Sequence, residues 1–221
     1  METRTDYDRA KELMGPLTSK GLSMPIPIID LKDVIDPAEH EDIVEKMRLA
    51  SEKWGFFQVI NHGIPQDVIN KVIGHSFVCH YYPAYPELKN RYAKCYDPDF
   101  LTIILQDQKG LQVLHKDQWI DIDPLEGALI VNIGDLLQLI SNDKLRGNEH
   151  RVLAKCVGPR ILVACFFTTH FQASNKLYGL IKELLSADNS PLYKKTLIKD
   201  YLNSFSIKDY NDYALVFMRL K

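Results

Sequence analysis

The chain reads CYDPDF at residues 95–100, VNIGD at 131–135, EHRV at 149–152 and GPRIL at 158–162. Two side chains in these segments, Asp97 and His150, are of metal-ligand types, and they meet only if the strands between them fold back on each other. A third ligand two residues before Asp97 would complete a facial triad with open coordination positions, the arrangement that suits non-haem Fe(II). Cys95 occupies that position. The stretch therefore predicts a folded-back β structure around a candidate metal site.

Length and composition exclude several classes of function. A chain of 221 residues is long enough for one large domain or for a small and a medium one. Its formal net charge of −2 gives no reason to expect a nucleic acid or an anionic membrane as partner. No apolar run approaches the ~20 residues that span a bilayer, and the four cysteines form no CxxC pair, which favours reduced thiols. We therefore expect a cytoplasmic protein without a nucleic-acid or membrane partner, its oligomeric state being open.

The N-terminal part, residues 1–73, is predicted to be a small α/β entry domain. The segment Pro25–Asp30 reads as an edge strand, because proline cannot donate to a sheet ladder. A helix follows, with Asp36 as its cap and Pro37 at its first position, and Gly55 ends it. Two further elements are predicted, a strand at Phe56–Ile60 and a short helix at Gln66–Ile73.

From Phe77 the chain changes to short strands separated by turn residues, the pattern of a sandwich or barrel. The predicted strands are Phe77–Tyr82, Phe100–Gln106, Leu111–Leu114, Gln118–Ile122, Ala128–Ile133, Leu136–Ile140, Arg151–Lys155 and Arg160–Thr168. About eight strands suffice for two sheets packed face to face, as in a jelly roll. We expect this core to span residues 74–175. A C-terminal helical segment, 176–221, is predicted to follow, with helices at Leu177–Leu185 and Tyr193–Phe205.

Several motifs occur in the order found in one known protein family. They are IPIID at 26–30, WGFFQVINHGIP at 54–65, HYYPA at 80–84, LQDQ at 105–108, the segments 127–141 and 148–160, LYG at 177–179 and IKELLS at 181–186. With these motifs the chain resembles the plant Fe(II)- and 2-oxoglutarate-dependent dioxygenases. Within them it is most similar to the group called 1-aminocyclopropane-1-carboxylate oxidase homologues. The resemblance extends over nearly the whole chain.

The resemblance implies a mainly β fold with flanking helices, whose core is a double-stranded β-helix, or jelly roll. It implies Fe(II) as metal and 2-oxoglutarate and O₂ as cosubstrates, with ascorbate by analogy. Asp97 and His150 match two of the three iron ligands of the family. Arg160 matches the arginine that pairs with the distal carboxylate of 2-oxoglutarate, and Tyr82 matches a tyrosine that orients this cosubstrate. The implied reaction is a hydroxylation-type oxidation of a small-molecule metabolite in plant secondary metabolism.

The chain departs from the family pattern at four places. Cys95 stands where the family has its first ligand histidine, and Leu162 where a serine hydroxyl helps to hold the cosubstrate. The loop from Pro86 to Lys94 is shorter and more charged than in the family, and the turn at Lys109-Gly110 lacks one glycine. The family also has a segment, on the order of 90 residues, between the positions equivalent to 73 and 74, which this chain omits. Loss of the serine donor would weaken cosubstrate binding by on the order of 1.5–3 kcal/mol.

Two interpretations of the site are open on the sequence. Cys95 is either a thiolate ligand, which would shift the metal preference towards zinc or copper, or a small apolar residue in a disabled site. The chain is accordingly either a working dioxygenase or a catalytically inactive relative. An inactive relative, or the product of an altered transcript or gene model, would act as a binding protein. The sequence does not identify the substrate.

Overall fold

The computed structural model describes residues 25–65, 78–82, 92–153, 160–168, 175–206 and 214–220. The predicted helix at Gln66–Ile73 and the junction between residues 73 and 74 lie outside these ranges. The predicted boundaries of the three domains therefore stay predictions. In the described part of the chain, every helix is too short or too polar to cross a membrane.

The larger sheet contains six strands within the described residues. They are β1 (Ile28–Asp30), β2 (Phe56–Ile60), β3 (Val78–Tyr82), β5 (Leu101–Gln106), β8 (Leu129–Ile133) and β10 (Arg160–Phe167). Their order is β1-β2-β8-β5-β10-β3, with β1 parallel to β2 and the other neighbours antiparallel. The two N-terminal strands therefore extend the same sheet as the core strands.

The smaller sheet is antiparallel and contains β4 (Tyr92–Cys95), β6 (Leu111–His115), β7 (Gln118–Asp121) and β9 (His150–Leu153), in the order β4-β9-β6-β7. A two-residue turn at Lys116 and Asp117 joins β6 to β7, and both residues have positive φ, 49° and 61°. This geometry matches the twist of the flanking strands. The strands predicted at Leu111–Leu114 and Gln118–Ile122 are confirmed, and they form a hairpin.

The core lies between the two sheets, which face each other as the sequence predicts. The larger sheet contributes Phe56, Ile104, Ile130, Leu162 and Ala164 to one buried cluster, and β6, β7 and the residue after β7 contribute Leu111, Val113, Ile120 and Ile122. Alternate residues along each strand point into this cluster, as expected for two sheets packed face to face. The predicted β core is therefore confirmed.

Helix α1 (Pro37–Lys53) covers the outer face of the larger sheet. The Asp36 carboxylate accepts a hydrogen bond from the Ala38 amide at 2.9 Å, which satisfies a free donor of the first turn. Ile43 and Ala50 of the helix are buried against a cluster that includes Phe57 and Val59 of β2. The predicted helix and its cap are confirmed.

The predicted strand at Leu136–Ile140 is wrong, because these residues form helix α2 (Asp135–Ile140). A short apolar run fits both a buried strand and a buried helix. Here Leu136 and Leu139, three residues apart, are the fully buried leucines of the run, which is the spacing of one helical face. They pack against the C-terminal residues Tyr193 and Tyr201.

The predicted charged loop from Pro86 to Lys94 is wrong at its end, because residues 92–94 belong to strand β4. Residues 83–91 lie outside the described ranges, and β4 follows them. Its backbone pairs with β9, which sets Cys95 opposite His150. Tertiary pairing therefore overrides the low strand propensity of this segment.

The C-terminal segment is only partly helical. The predicted helix at Leu177–Leu185 is wrong: β11 (Leu177–Tyr178) pairs with β12 (Thr196–Leu197), and a 3-10 helix spans Lys182–Leu184. Leu177 is 57% exposed and Ile181 is 39% exposed, so this apolar pattern has no buried face that would stabilise a helix. The predicted helix at Tyr193–Phe205 begins later than expected, as α3 (Ile198–Ser206). A further 3-10 helix spans Ala214–Met218.

Candidate active site

A cavity of about 150 Å³ opens between the two sheets. Its walls are formed by Cys95, Asp97, Thr102, Ile104, Leu111, His150, Val152, Leu162, Ala164 and Phe166. Four of these ten side chains carry a polar or ionisable group, and the other six are apolar. The cavity therefore combines a small polar cluster with apolar walls, which is the composition of a small-molecule site.

His150 lies at the centre of the polar cluster. Its Nε2 is 3.1 Å from the Sγ of Cys95 and 3.6 Å from the Oδ1 of Asp97. The β4–β9 pairing explains the first contact, since Cys95 and His150 are directly opposite each other. The three side chains proposed as metal ligands therefore border one cavity. Within the described residues, however, no three His, Cys, Asp or Glu side chains already stand close enough together to hold a metal ion.

The two oxygens of the Asp97 carboxylate have different surroundings. Oδ2 accepts hydrogen bonds from the Thr102 hydroxyl at 2.6 Å and from the side-chain amide of Asn132. Oδ1 faces His150. Supporting hydrogen bonds of this kind orient a ligating carboxylate and leave one oxygen for the metal. The donor types and orientations of Asp97 and His150 thus fit a divalent cation, with Cys95 next to them.

The ring of His150 is buried and has a defined orientation. Its Nδ1 lies 3.3 Å from the backbone oxygen of Asn148, and because a carbonyl only accepts, Nδ1 carries a hydrogen. Burial lowers the pKa of His150, but Cys95 and Asp97 outweigh burial and raise this pKa to about 10. In the metal-free protein at neutral pH, Nε2 therefore also carries a proton, which a metal ion would displace.

Asp99 is a buried carboxyl group that the sequence analysis did not single out. Its Oδ2 is 2.9 Å from the Thr102 hydroxyl, whose single hydrogen serves Asp97 or Asp99 at one time. Its Oδ1 is buried and has no hydrogen-bond partner among the residues that the structure describes. Burial, and after it the charge of Asp97, raises the pKa of Asp99 to about 7. The spacing Asp97-Pro98-Asp99 was the available signal, since alternate residues of an extended segment share a side.

Asp99→Asn is expected to stabilise the metal-free protein by roughly 2 kcal/mol at pH 8 and to have little effect at pH 4. A carboxyl whose pKa is raised on folding keeps its proton in the native state after the unfolded chain has lost it. The free energy of unfolding of the parent protein therefore falls as pH rises from about 4 through 7. Urea unfolding at both pH values measures the difference. Asp33→Asn, at an exposed carboxylate, is the control, and an equal effect of Asp99→Asn at both pH values would contradict the assignment.

Leu162 lies in the cavity, whereas the guanidinium of Arg160 is directed elsewhere. Leu162, Ala164 and Phe166 line the cavity from one face of β10. Arg160 is buried, and it donates from Nη2 to the Oε1 of Gln106 at 3.1 Å and from Nε to the backbone oxygen of Gln108 at 3.3 Å. Arg160 is not among the residues that border the cavity.

Tyr82 pairs with Arg160 through the backbone, where β3 lies against β10. The position of its side chain lies outside what the structure describes. Gly110 has a backbone φ of +145°, which disfavours a residue with a Cβ, and a Cβ there would also lie 3.1 Å from the Arg160 side chain. The predicted residues thus form two groups: Cys95, Asp97, His150 and Leu162 border the cavity, and Arg160 and Tyr82 pair beside it.

Two family models match the chain. Residues 73–169 match the model of the 2OG-Fe(II) oxygenase superfamily. Residues 26–84 match the N-terminal model described for non-haem dioxygenases in morphine synthesis. The two matched ranges meet around β3, and together they extend from β1 to just beyond β10.

Proteins of similar sequence occur in plants. 1-Aminocyclopropane-1-carboxylate oxidase homolog 1 of Arabidopsis thaliana is 33% identical, with 90% of this chain and 84% of the relative aligned. Deacetoxyvindoline 4-hydroxylase of Catharanthus roseus is 32% identical, with 95% of this chain and 80% of the relative aligned. The resemblance to the 1-aminocyclopropane-1-carboxylate oxidase homologues is thereby confirmed.

The first of these alignments supports the predicted loss of a segment. It runs over 307 positions, whereas the chain has 221 residues, so at least 86 positions of the relative have no counterpart here. This difference agrees in size with the predicted omission. Its location between residues 73 and 74 stays a prediction.

A solved structure shares the fold. JOX2, crystallised with 2-oxoglutarate, iron and JA, superposes with a TM-score of 0.71 at 20% sequence identity, and the match covers 96% of this chain and 94% of JOX2. At this identity the likeness establishes the fold alone. It confirms the predicted jelly-roll core with its flanking elements.

Proposed function

Because the chain belongs to the 2OG-Fe(II) oxygenase superfamily, we propose that it oxidises a small-molecule metabolite in the cavity between its two sheets. By family it is an oxidoreductase, a dioxygenase that uses Fe(II), 2-oxoglutarate and O₂. The observation that carries the proposal is the contact between His150 and Asp97, whose second oxygen is held by Thr102 and Asn132. This arrangement leaves one nitrogen and one oxygen directed to the same space.

We assign the binding of Fe(II) to His150 and Asp97, with Cys95 at the third protein position. Bound Fe(II) would activate O₂, which is the oxidant, while 2-oxoglutarate would supply two electrons through its oxidative decarboxylation to succinate and CO₂. The residues of the chain do the remaining work. Asn132 and Thr102 hold Asp97, and the apolar walls, which include Ile104 and Leu111, exclude water from the reacting substrate.

The cosubstrate carboxylate is assigned to Arg160, with Tyr82 as an orienting residue. Arg160 presents a planar fork that suits a carboxylate, and in the metal-free protein Gln106 and Gln108 accept hydrogen bonds from it. A cosubstrate carboxylate would pair with the guanidinium beside these neutral acceptors or in their place. Leu162, which stands where the family has serine, offers no hydroxyl to assist. We therefore expect weaker binding of 2-oxoglutarate than a serine at this position would give.

The apolar walls of the cavity favour a small hydrophobic substrate. We further propose a role in plant secondary metabolism, a cytoplasmic location and a requirement for ascorbate. The named relative from Catharanthus roseus is a hydroxylase, and by this analogy we assign hydroxylation as the reaction type. Within the chain we assign residues 1–73 to an entry domain, 74–175 to the catalytic core and 176–221 to a C-terminal segment.

Anaerobic addition of Fe(II) and then 2-oxoglutarate is expected to produce a saturable metal-to-ligand charge-transfer band, and addition of O₂ to yield succinate. His150→Ala is expected to abolish the band, because it removes a nitrogen ligand. Leu162→Ser is expected to lower the Kd of 2-oxoglutarate about 10-fold, since a hydrogen bond to a charged group contributes about 1.5–3 kcal/mol. Absence of the band in folded parent protein, or its persistence in His150→Ala, would sink the assignment.

A second candidate function is supported by two observations. Cys95 stands at a ligand position and contacts His150 directly, and Arg160 is engaged by Gln106 and Gln108 beside the cavity. Both fit a catalytically inactive relative that binds a small molecule without turnover. The same titration separates the candidates, because an inactive relative takes up no iron at stoichiometric level while remaining folded.

A further inference from the structure

We infer that Asn148 is a positioning residue, which links the end of helix α1 to the ring of His150 and so fixes the direction of His150 Nε2. The part of this inference that concerns metal affinity rests on the proposed function. The part that concerns the orientation of the ring does not. Neither α1 nor Asn148 borders the cavity, so the link acts through His150.

The first half of the link joins Asn148 to the residue after α1. The side-chain amide of Asn148 donates a hydrogen bond to the backbone oxygen of Trp54. Trp54 is itself held, because its amide donates to the Ala50 oxygen at 2.8 Å. The two segments approach each other closely because residue 55 is glycine. A Cβ there would lie 3.3 Å from the backbone nitrogen of Asn148 and 2.3 Å from the backbone oxygen of Arg146.

The second half of the link joins Asn148 to His150. The backbone oxygen of Asn148 accepts the Nδ1 hydrogen of His150 at 3.3 Å. Since Nδ1 and Nε2 lie on opposite sides of the imidazole ring, a bond at Nδ1 limits rotation of the ring and directs Nε2 towards Cys95 and Asp97. One asparagine therefore contacts the helix end with its side chain and the histidine with its backbone.

Two aromatic contacts hold the same assembly from either side. The Trp54 indole is stacked on the His115 ring, with centroids 4.0 Å apart and planes at 6°. His115 is the last residue of β6, the strand that lies next to β9. The Phe56 ring meets His150 edge-on, with centroids 5.3 Å apart. The segment Trp54–Phe56 thus contacts Asn148, His150 and the neighbouring strand, so the N-terminal part of the chain determines the geometry of the candidate ligand.

The test replaces Asn148 with aspartate, which keeps the shape of the side chain but cannot donate to the Trp54 oxygen. The readout in metal-free protein is the ¹H–¹⁵N signal of the His150 Nδ1–H group and its rate of exchange with water. We expect exchange at least about 10-fold faster in Asn148→Asp than in the parent. A second readout, the Kd for Fe(II), is expected to rise about 10-fold, the lower end of the usual range for residues that orient a ligand.

Two further variants keep the outcome decisive. Asn148→Ala also removes the donor without introducing a charge, and it serves if the aspartate variant does not fold. Asn189→Ala is the matched control, because Asn189 likewise donates to a backbone oxygen, that of Leu184 at 2.7 Å, in the C-terminal segment. It is expected to lower stability without changing the His150 signal. Unchanged exchange in a folded Asn148 variant overturns the inference. Faster exchange in the Asn148 variants, together with a parent protein that binds no iron, upholds the inference while refuting the proposed function.

Discussion

Replacing Cys95 with histidine is expected to lower the Kd for Fe(II) about 100-fold, a gain of about 2.7 kcal/mol. The substitution adds a second imidazole beside His150 and Asp97, which gives the two-histidine, one-carboxylate ligand set that suits non-haem Fe(II). Cys95 borders the cavity, so a larger side chain has room to turn into it. Anaerobic titration with Fe(II), followed by isothermal titration calorimetry, gives the Kd of the parent protein and of the Cys95→His variant.

Metal competition adds a second comparison to the same experiment. A thiolate is a softer ligand than imidazole and favours zinc or copper over iron. The parent protein is therefore expected to prefer Zn(II) over Fe(II) by a wider margin than the Cys95→His variant does. Cys165→His is the control, because Cys165 is also a free thiol but does not border the cavity. Equal Fe(II) affinity in parent and Cys95→His would show that residue 95 does not reach the metal.

Replacing Gly55 with alanine is expected to cost about 4 kcal/mol or more of unfolding free energy, a large part of the stability of a typical protein. The new Cβ would lie 2.3 Å from the backbone oxygen of Arg146, which cannot move aside as a side chain can. The backbone of Gly55 also has φ of +62°, a conformation that disfavours residues with a Cβ. Relief of the clash would strain the bond from the Ile133 amide to the Gly55 oxygen, 2.8 Å long.

The Gly63→Ala variant separates the cost of the contact with Arg146 from the cost of the positive φ. Gly63 has a similar φ of +75°, but among the described residues, its two chain neighbours aside, no atom lies within 4 Å of its Cβ position. It should therefore show the conformational cost alone, about 1–2 kcal/mol. Urea unfolding of both variants measures the comparison, and absence of a cooperative transition for Gly55→Ala counts as the larger effect. Equal losses for the two variants would mean that the contact with Arg146 does not limit the position.

Elements whose sequence pattern fits only a helix or only a strand were predicted correctly. Helix α1 carries a cap at Asp36 and a proline at its first position, and the strand after Gly55 is apolar at four of its five residues. The run Leu136–Ile140 has no such marker, and only its burial against the C-terminal tyrosines distinguishes helix from strand. Local sequence does not contain that information.

The residues of the candidate site were predicted through the family motifs, and the residues that support them were not. Asp97 and His150 are 53 positions apart in the sequence, and only the pairing of β4 with β9 brings Cys95 and His150 together. Asn132 and Thr102 have ordinary polar side chains, and their bonds to Asp97 depend on the register of β5 against β8, where these two residues are opposite each other. The direction of the Arg160 guanidinium depends likewise on Gln106 and Gln108.

The order of strands in the larger sheet affects how the chain is made. β2 has β8 as its antiparallel neighbour, about 70 residues further along the chain, and β3 pairs with β10, which follows later still. At about 5–20 residues per second of synthesis, β2 waits roughly 4–14 s for its partner. During this interval Phe57 and Val59 have α1 as cover but an open strand edge beside them. Because slower synthesis lengthens this interval, the yield of native protein is expected to fall with slow translation and to rise with chaperone supply.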